Sequence, residues 1–224
     1  MKYFTHVIVP LLVILLLASI FTAATAIKYN KDRITGESTT QNSLTAQNIS
    51  NLTNINPADF DSIVKNEYSL SSLNAKEVQA DNQLSAIDIE VASDLKPSSV
   101  TSRYVYSSAN DATYNWLMTF TQLSNNFTRM LIPKEDYLGQ LTVINTKLWK
   151  FNFVTALQIA EKNGGMKWRE NNDILGIRLT LRHTEPKNWL LWTIEYKGKE
   201  GNLILRIDAN SGRVVDEDTP TTIN

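Results

Sequence analysis

The sequence predicts an α+β fold: two helices, each followed by an antiparallel meander, behind an N-terminal apolar segment and a polar stalk. Three observations carry this. Residues 153–160 repeat apolar side chains at helical spacing, residues 177–215 break into short strand-like runs closed by turns, and the order helix-then-strands occurs twice along the chain.

Residues 1–26 read as a signal peptide or membrane anchor. Lys2 precedes an uncharged Leu/Ile/Val-rich run over residues 7–21, and Ala24-Thr25-Ala26 fits a small-residue cleavage site. The apolar run also approaches the roughly 20 residues a bilayer-spanning helix needs. Lys28, Lys31 and Arg33 on the far side would by themselves favour a cytoplasmic remainder. The cleavage-like tripeptide and the stalk that follows point outward instead. The expected location is extracytoplasmic, membrane-anchored or secreted, with membrane contact through residues 7–26 if the segment is retained.

Residues 27–72 read as a linker. Thr, Ser, Asn and Gln dominate residues 35–56, a composition that buries too little apolar surface to offset its ordering entropy. As a coil, about 45 residues would span roughly 35–40 Å. Asn48, Asn51 and Asn126 each begin an Asn-x-Ser/Thr triplet, the acceptor pattern for glycosylation, although chance matches are frequent in an Asn/Thr-rich tract.

A first unit is expected over residues 73–147. Its helix is placed at residues 73–97, with Asn74 as N-cap, Glu77 three residues on, and a stripe of Ala80, Leu84, Ile87, Val91 and Leu95 ended by Pro97. Strands follow at residues 100–106, 114–123 and 127–132, with turns at Asn110-Asp111 and Asn125-Asn126.

The second unit, residues 148–218, is the more regular. Phe153, Ala156, Leu157 and Ala160 share one helix face, Asn152 can cap its N-terminus, and Gly164-Gly165 stop it. Ile177, Leu179 and Leu181 alternate with Arg178, Thr180 and Arg182, the pattern of a half-buried strand. Residues 189–196 are apolar on both parities and read as a central strand, with Trp189 in the core. Residues 203–207 follow a hairpin loop, and residues 208–212 form a turn. Residues 219–224 are a tail.

The helix Thr155-Ala156-Leu157-Gln158-Ile159-Ala160, the strand Trp192-Thr193-Ile194-Glu195-Tyr196 and the close Ile207-Asp208-Ala209-Asn210-Ser211-Gly212-Arg213-Val214 resemble a PepSY domain. The resemblance covers about 65 residues. It implies an extracytoplasmic binding module that inhibits or regulates a peptidase, or engages another envelope protein, through a free sheet edge for instance. The sequence departs from the propeptide members of that family in carrying no peptidase domain after the resemblance. The alternative is a structural or adhesive surface protein with no regulatory activity. The first unit also parallels the second, with Ser85-Ala86-Ile87 against Thr155-Ala156-Leu157, Asn115-Trp116-Leu117 against Asn188-Trp189-Leu190, and Thr128-Arg129-Met130 against Leu205-Arg206-Ile207. Whether two such units form one sheet or two stays open.

The chemistry is sparse. With 22 basic and 23 acidic side chains, the chain lacks the basic footprint of a nucleic-acid binder. It has no cysteine, so disulfides, thiol catalysis and cysteine metal sites are excluded. His6 lies in the targeting segment and His183 stands alone at a strand end without a nucleophile elbow. Asp208-x-Asn210-x-Gly212 opens like a calcium loop, but its twelfth position is Thr219 instead of Glu, so it reads as a turn. No enzyme activity, metal or cofactor is expected. The candidate partner contact is Trp168, taken as an exposed loop aromatic between Lys167 and Arg169.

Overall fold

The structure is a computed structural model that describes residues 55–185 and 188–215. Seven antiparallel strands form one sheet in the order β4-β3-β2-β1-β5-β6-β7. They are β1 (Gln83–Val91), β2 (Thr101–Ser107), β3 (Tyr114–Thr121), β4 (Asn126–Pro133), β5 (Ile174–Thr184), β6 (Trp189–Gly198) and β7 (Asn202–Asp208). Helices α1 (Tyr68–Val78), α2 (Phe153–Ala160) and α3 (Met166–Asn171) belong with one face of this sheet. The two helix-plus-meander halves join edge to edge where β1 pairs with β5, from Ile87 opposite Leu181 to Val91 opposite Ile177.

The α2 helix forms where the sequence places it. The Asn152 side chain accepts from Thr155 N–H at 3.0 Å, and Gly164 at φ +113° breaks the helical turn that follows. Its buried residues include Phe153, Ala156, Leu157 and Ala160, which pack onto the β6–β7 side of the sheet. The segment leading into it is clamped just past the end of β7 and by β6. Lys150 and Phe151 both donate their N–H to Ala209 O, and the indoles of Trp149 and Trp192 both donate to Phe151 O.

The expected helix at residues 73–97 is overturned. α1 ends at Val78, and Leu84, Ile87 and Val91 lie in β1. Asn74 is inside α1 and donates to Leu70 O instead of capping an N-terminus. The stripe taken as helical also alternates: Ile87, Ile89 and Val91 face the main core, while Ala86, Asp88 and Glu90 face the other side. Two of those core residues are Ile and one is Val, side chains that suit a pleated strand. The repeat alignment fails at the same place, because Ser85-Ala86-Ile87 is strand and Thr155-Ala156-Leu157 is helix.

The linker boundary also moves. Ile55, Phe60 and Ile63 are buried in the main core, and Phe60 meets Phe153 edge-on at 6.0 Å. Residues 55–72 therefore belong to the folded head. α1 hides from the sequence because its buried face is made of Ser71 and Ala75, small residues with no apolar stripe. The Ser71 hydroxyl meets the Tyr106 hydroxyl at 2.7 Å. Among the tryptophans, Trp192 is the core residue at 1% exposure, and Trp116, Trp149 and Trp189 are half-buried. The sequence reads all four as core and expects Trp189 to be largely buried. Trp189 sits instead at the first position of β6, facing away from α2.

Candidate functional site

The residues singled out for partner contact lie at the corner built by α3. Residues 166–171 are helical, so Trp168 is not a loop aromatic. Its indole is half-buried, 6.4 Å from the Tyr196 ring, and covers Gly198 so closely that a Cβ there would lie 2.6 Å from Cη2. Arg169 turns inward, and its Nη2 bonds Glu161 at 2.9 Å, where the carboxylate has no exposed surface. Burial first, and then the Glu161 charge, push the Tyr196 hydroxyl well above its usual range. Lys167 alone of the three is exposed.

Two shallow clefts flank this corner. One, about 320 Å³, is lined by Asn163, Gly164, Lys167, Trp168, Asn172 and Leu203 among others. The other, about 340 Å³, is lined by Glu170, Asn171, Asn172, Asp173, Lys199 and Glu200. The side-chain amides of Asn163, Asn171 and Asn172 each donate to the carbonyl four residues back, which closes the helix C-termini. The second cleft is mostly polar, whereas the first exposes more apolar than polar surface.

The face of the sheet away from α1 and α2 carries a charge cluster. One transverse row runs across all seven strands: Thr128, Thr119, Arg103, Asp88, Thr180, Thr193 and Arg206. Asp88 is buried at its centre. Arg178 grips it with Nε at 2.7 Å and Nη2 at 3.1 Å, and Arg103 approaches at 3.4 Å while also reaching Glu90. The Tyr137 hydroxyl also donates to Asp88. Burial and then the Asp88 charge raise the Tyr137 pKa, and the hydrogen bonds to Asp88 lead the causes that raise Arg178. Tyr137 arrives on the segment 134–145, whose Leu138 and Leu141 pack with it on Ala86, Val105 and Leu117. The Leu138 carbonyl accepts from Arg182 at 2.8 Å.

The sequence reading missed this cluster because it placed Asp88 on a helix. The signal was there: Arg178, Thr180 and Arg182 form the polar parity of β5, and a carboxylate amid Ile87, Ile89 and Val91 needs a partner of that kind.

The remaining candidates are structural. His183 ends β5 half-buried, with Nδ1 3.0 Å from Asn188 O and Nε2 3.5 Å from Asn145 N. Asp208 Oδ1 accepts from Asn210 and Ser211 N–H, and Gly212 sits at φ +72°, so the calcium-like stretch is a turn. No group of three or more His, Cys, Asp or Glu able to hold a metal occurs among the described residues. Asn126 is exposed at the start of β4, while Asn48 and Asn51 lie outside the described residues. So do residues 7–26. Among the described residues no helix is long and apolar enough to cross a membrane.

No protein-family model matches the chain. No curated protein matches it either. Among solved structures, a "putative lipoprotein" of Clostridium difficile 630 superposes with a TM-score of 0.43 at 12% identity, over 66% of this chain and 90% of that one.

Proposed function

We propose that the chain is an exported, membrane-tethered PepSY-like binding module that regulates or inhibits a peptidase, or binds another envelope protein, by non-covalent contact and without turnover of its own. The observation that carries this reading is the closing turn. The resemblance needs an Asp that organises the turn and a Gly in left-handed conformation four residues on. Asp208 and Gly212 have that geometry, and Gly212 N–H donates back to Asp208 O at 2.8 Å. Further support comes from the uncharged run of residues 7–21 with its Ala-x-Ala close.

The test is in-cell cross-linking from the head, followed by assay of any captured peptidase with the purified chain. Reversible inhibition unaffected by thiol reagents and by His183→Ala supports the reading. A chain that cross-links to no envelope protein favours the purely structural alternative. Peptide or ester hydrolysis lost in His183→Ala overturns the non-enzyme reading.

A further inference from the structure

We infer that β4 is a docking edge that takes an extended protein segment as an eighth strand, and that this segment carries an acidic residue flanked at i±2 by apolar ones. The inference rests on the binding-module reading above and names its surface.

The two outer strands of the sheet are finished differently. At β7 the chain returns over its own edge: Val215 N–H donates to Arg206 O, Asp208 N–H donates to Arg213 O, and Ile207 bridges Val214. At β4 no such cover exists among the described residues. The register settles which backbone groups β4 offers. Tyr114 stands opposite Pro133, and beyond them Lys134 N–H donates to Thr113 O at 2.9 Å. In an antiparallel pair, bonded and non-bonded positions alternate. Ile132, Met130, Thr128 and Asn126 therefore spend their N–H and C=O on β3. Those of Phe127, Arg129 and Leu131 point outward, with no hydrogen bond to them from the described residues. Pro133 has no N–H and ends the edge.

The side chains around this edge are apolar and exposed. Six of the eleven large hydrophobics exposed among the described residues are Leu70 and Leu73 of α1 and Tyr114, Leu123, Met130 and Leu131 of the β3–β4 hairpin. Glu77, seven residues on from Leu70 in α1, reaches Arg129 at 3.7 Å, which sets that flank of α1 beside β4. Protected edges place charge, a bulge or a covering loop there. Here the one charge on the strand is Arg129, and it is 47% exposed.

That charge selects the occupant. A second copy paired antiparallel through the three free positions would set Arg129 opposite Arg129, with like charges on neighbouring strands disfavoured. A foreign strand with a carboxylate at that position pairs with Arg129, and its residues at i±2 lie against Phe127 and Leu131. Main-chain bonds then supply affinity and the Arg129 position supplies selectivity.

The test uses the full chain in detergent and the capped peptide Thr-Val-Thr-Glu-Thr-Val-Thr, with binding followed by fluorescence anisotropy. Binding is expected to weaken about tenfold or more when the Glu and both Val amides are N-methylated, and likewise in Leu131→Pro, which removes an outward N–H. Arg129→Glu should reverse the preference toward the peptide with Lys in place of Glu, a readout that stands if Leu131→Pro fails to fold. Absence of peptide binding by the unaltered chain, or equal binding of the N-methylated peptide, overturns the inference. So does a sedimenting dimer that Leu131→Pro turns into a monomer, which would make the occupant a second copy. Envelope-protein capture that survives Leu131→Pro sinks the docking edge alone. Peptide binding without any envelope-protein capture sinks the functional reading alone.

Discussion

Asp88 and Arg178 hold the two halves of the sheet together by a two-pronged ion pair between neighbouring central strands, at 2.7 and 3.1 Å. The Asp88 side chain is 1% exposed and that of Arg178 29%. Removing the charge from one side leaves the other desolvated without its partner. Asp88→Asn should therefore lower stability by about 3 kcal/mol, read as a fall in the urea midpoint. An unchanged midpoint would show that the pair is compensated by water.

Trp192, not Trp189, is the tryptophan on which the core depends. Trp192→Ala should cost about 3–5 kcal/mol, because it empties a site with 1% exposure and removes the donor to Phe151 O. Trp189→Ala, at a half-buried strand start, should cost clearly less. Denaturation of the two variants side by side decides it, and equal losses would refute the assignment.

The glycines of the α3 corner should separate by mechanism. A Cβ on Gly165 would lie 2.2 Å from the Tyr196 hydroxyl oxygen and 2.9 Å from Ala160 O, so Gly165→Ala should cost about 1–3 kcal/mol through overpacking. Gly201, with open space around it, should accept Ala within about 0.5 kcal/mol. Thermal unfolding of both variants measures the difference.

Glu67 gives the head a pH dependence. Burial raises its pKa, against the opposing hydrogen bond from the Gln122 amide. A carboxyl whose folded pKa lies above its unfolded one holds its proton more tightly in the native state. Its contribution then falls as pH rises from the unfolded value toward and through the raised folded value. Glu67→Gln keeps an oxygen for the Gln122 amide and carries no charge. It should be more stable than the parent at neutral pH, with the advantage shrinking on acidification. Urea midpoints at pH 7.5 and 4.5 test this, and an advantage independent of pH would exclude the desolvated carboxylate as its cause.

What could be read from the chain tracks how local the signal is. Asn152, Gly164 and the Phe153-to-Ala160 face act within α2 itself, and Asp208 with Gly212 within one turn, so α2 and the closing turn were legible residue by residue. The strands 101–107, 114–121 and 126–133 fell close to their expected places for the same reason. β1 was misread because Leu84, Ile87 and Val91 satisfy a helical period by accident, while the deciding facts lie about 90 residues away in Arg178 and Thr180. α1 was missed because Ser71 and Ala75 bury without an apolar stripe. The corner around Trp168 was located but its exposure was misjudged, since the surfaces that cover the indole, Gly198 and Tyr196, come from β6.

The seam between β1 and β5 sets the order in which this head can assemble. Every other pairing in the sheet joins strands that follow one another along the chain, so each half can zip up from nearest neighbours. The seam must close a loop of about 90 residues, an entropic toll met only after both meanders exist. Substitutions across it, Thr180→Ala among them, should accelerate unfolding and leave the refolding rate nearly untouched. Until the seam closes, a half-made head presents β1 and β5 as bare edges, which makes that interval the one in which newly made chains are most prone to aggregate.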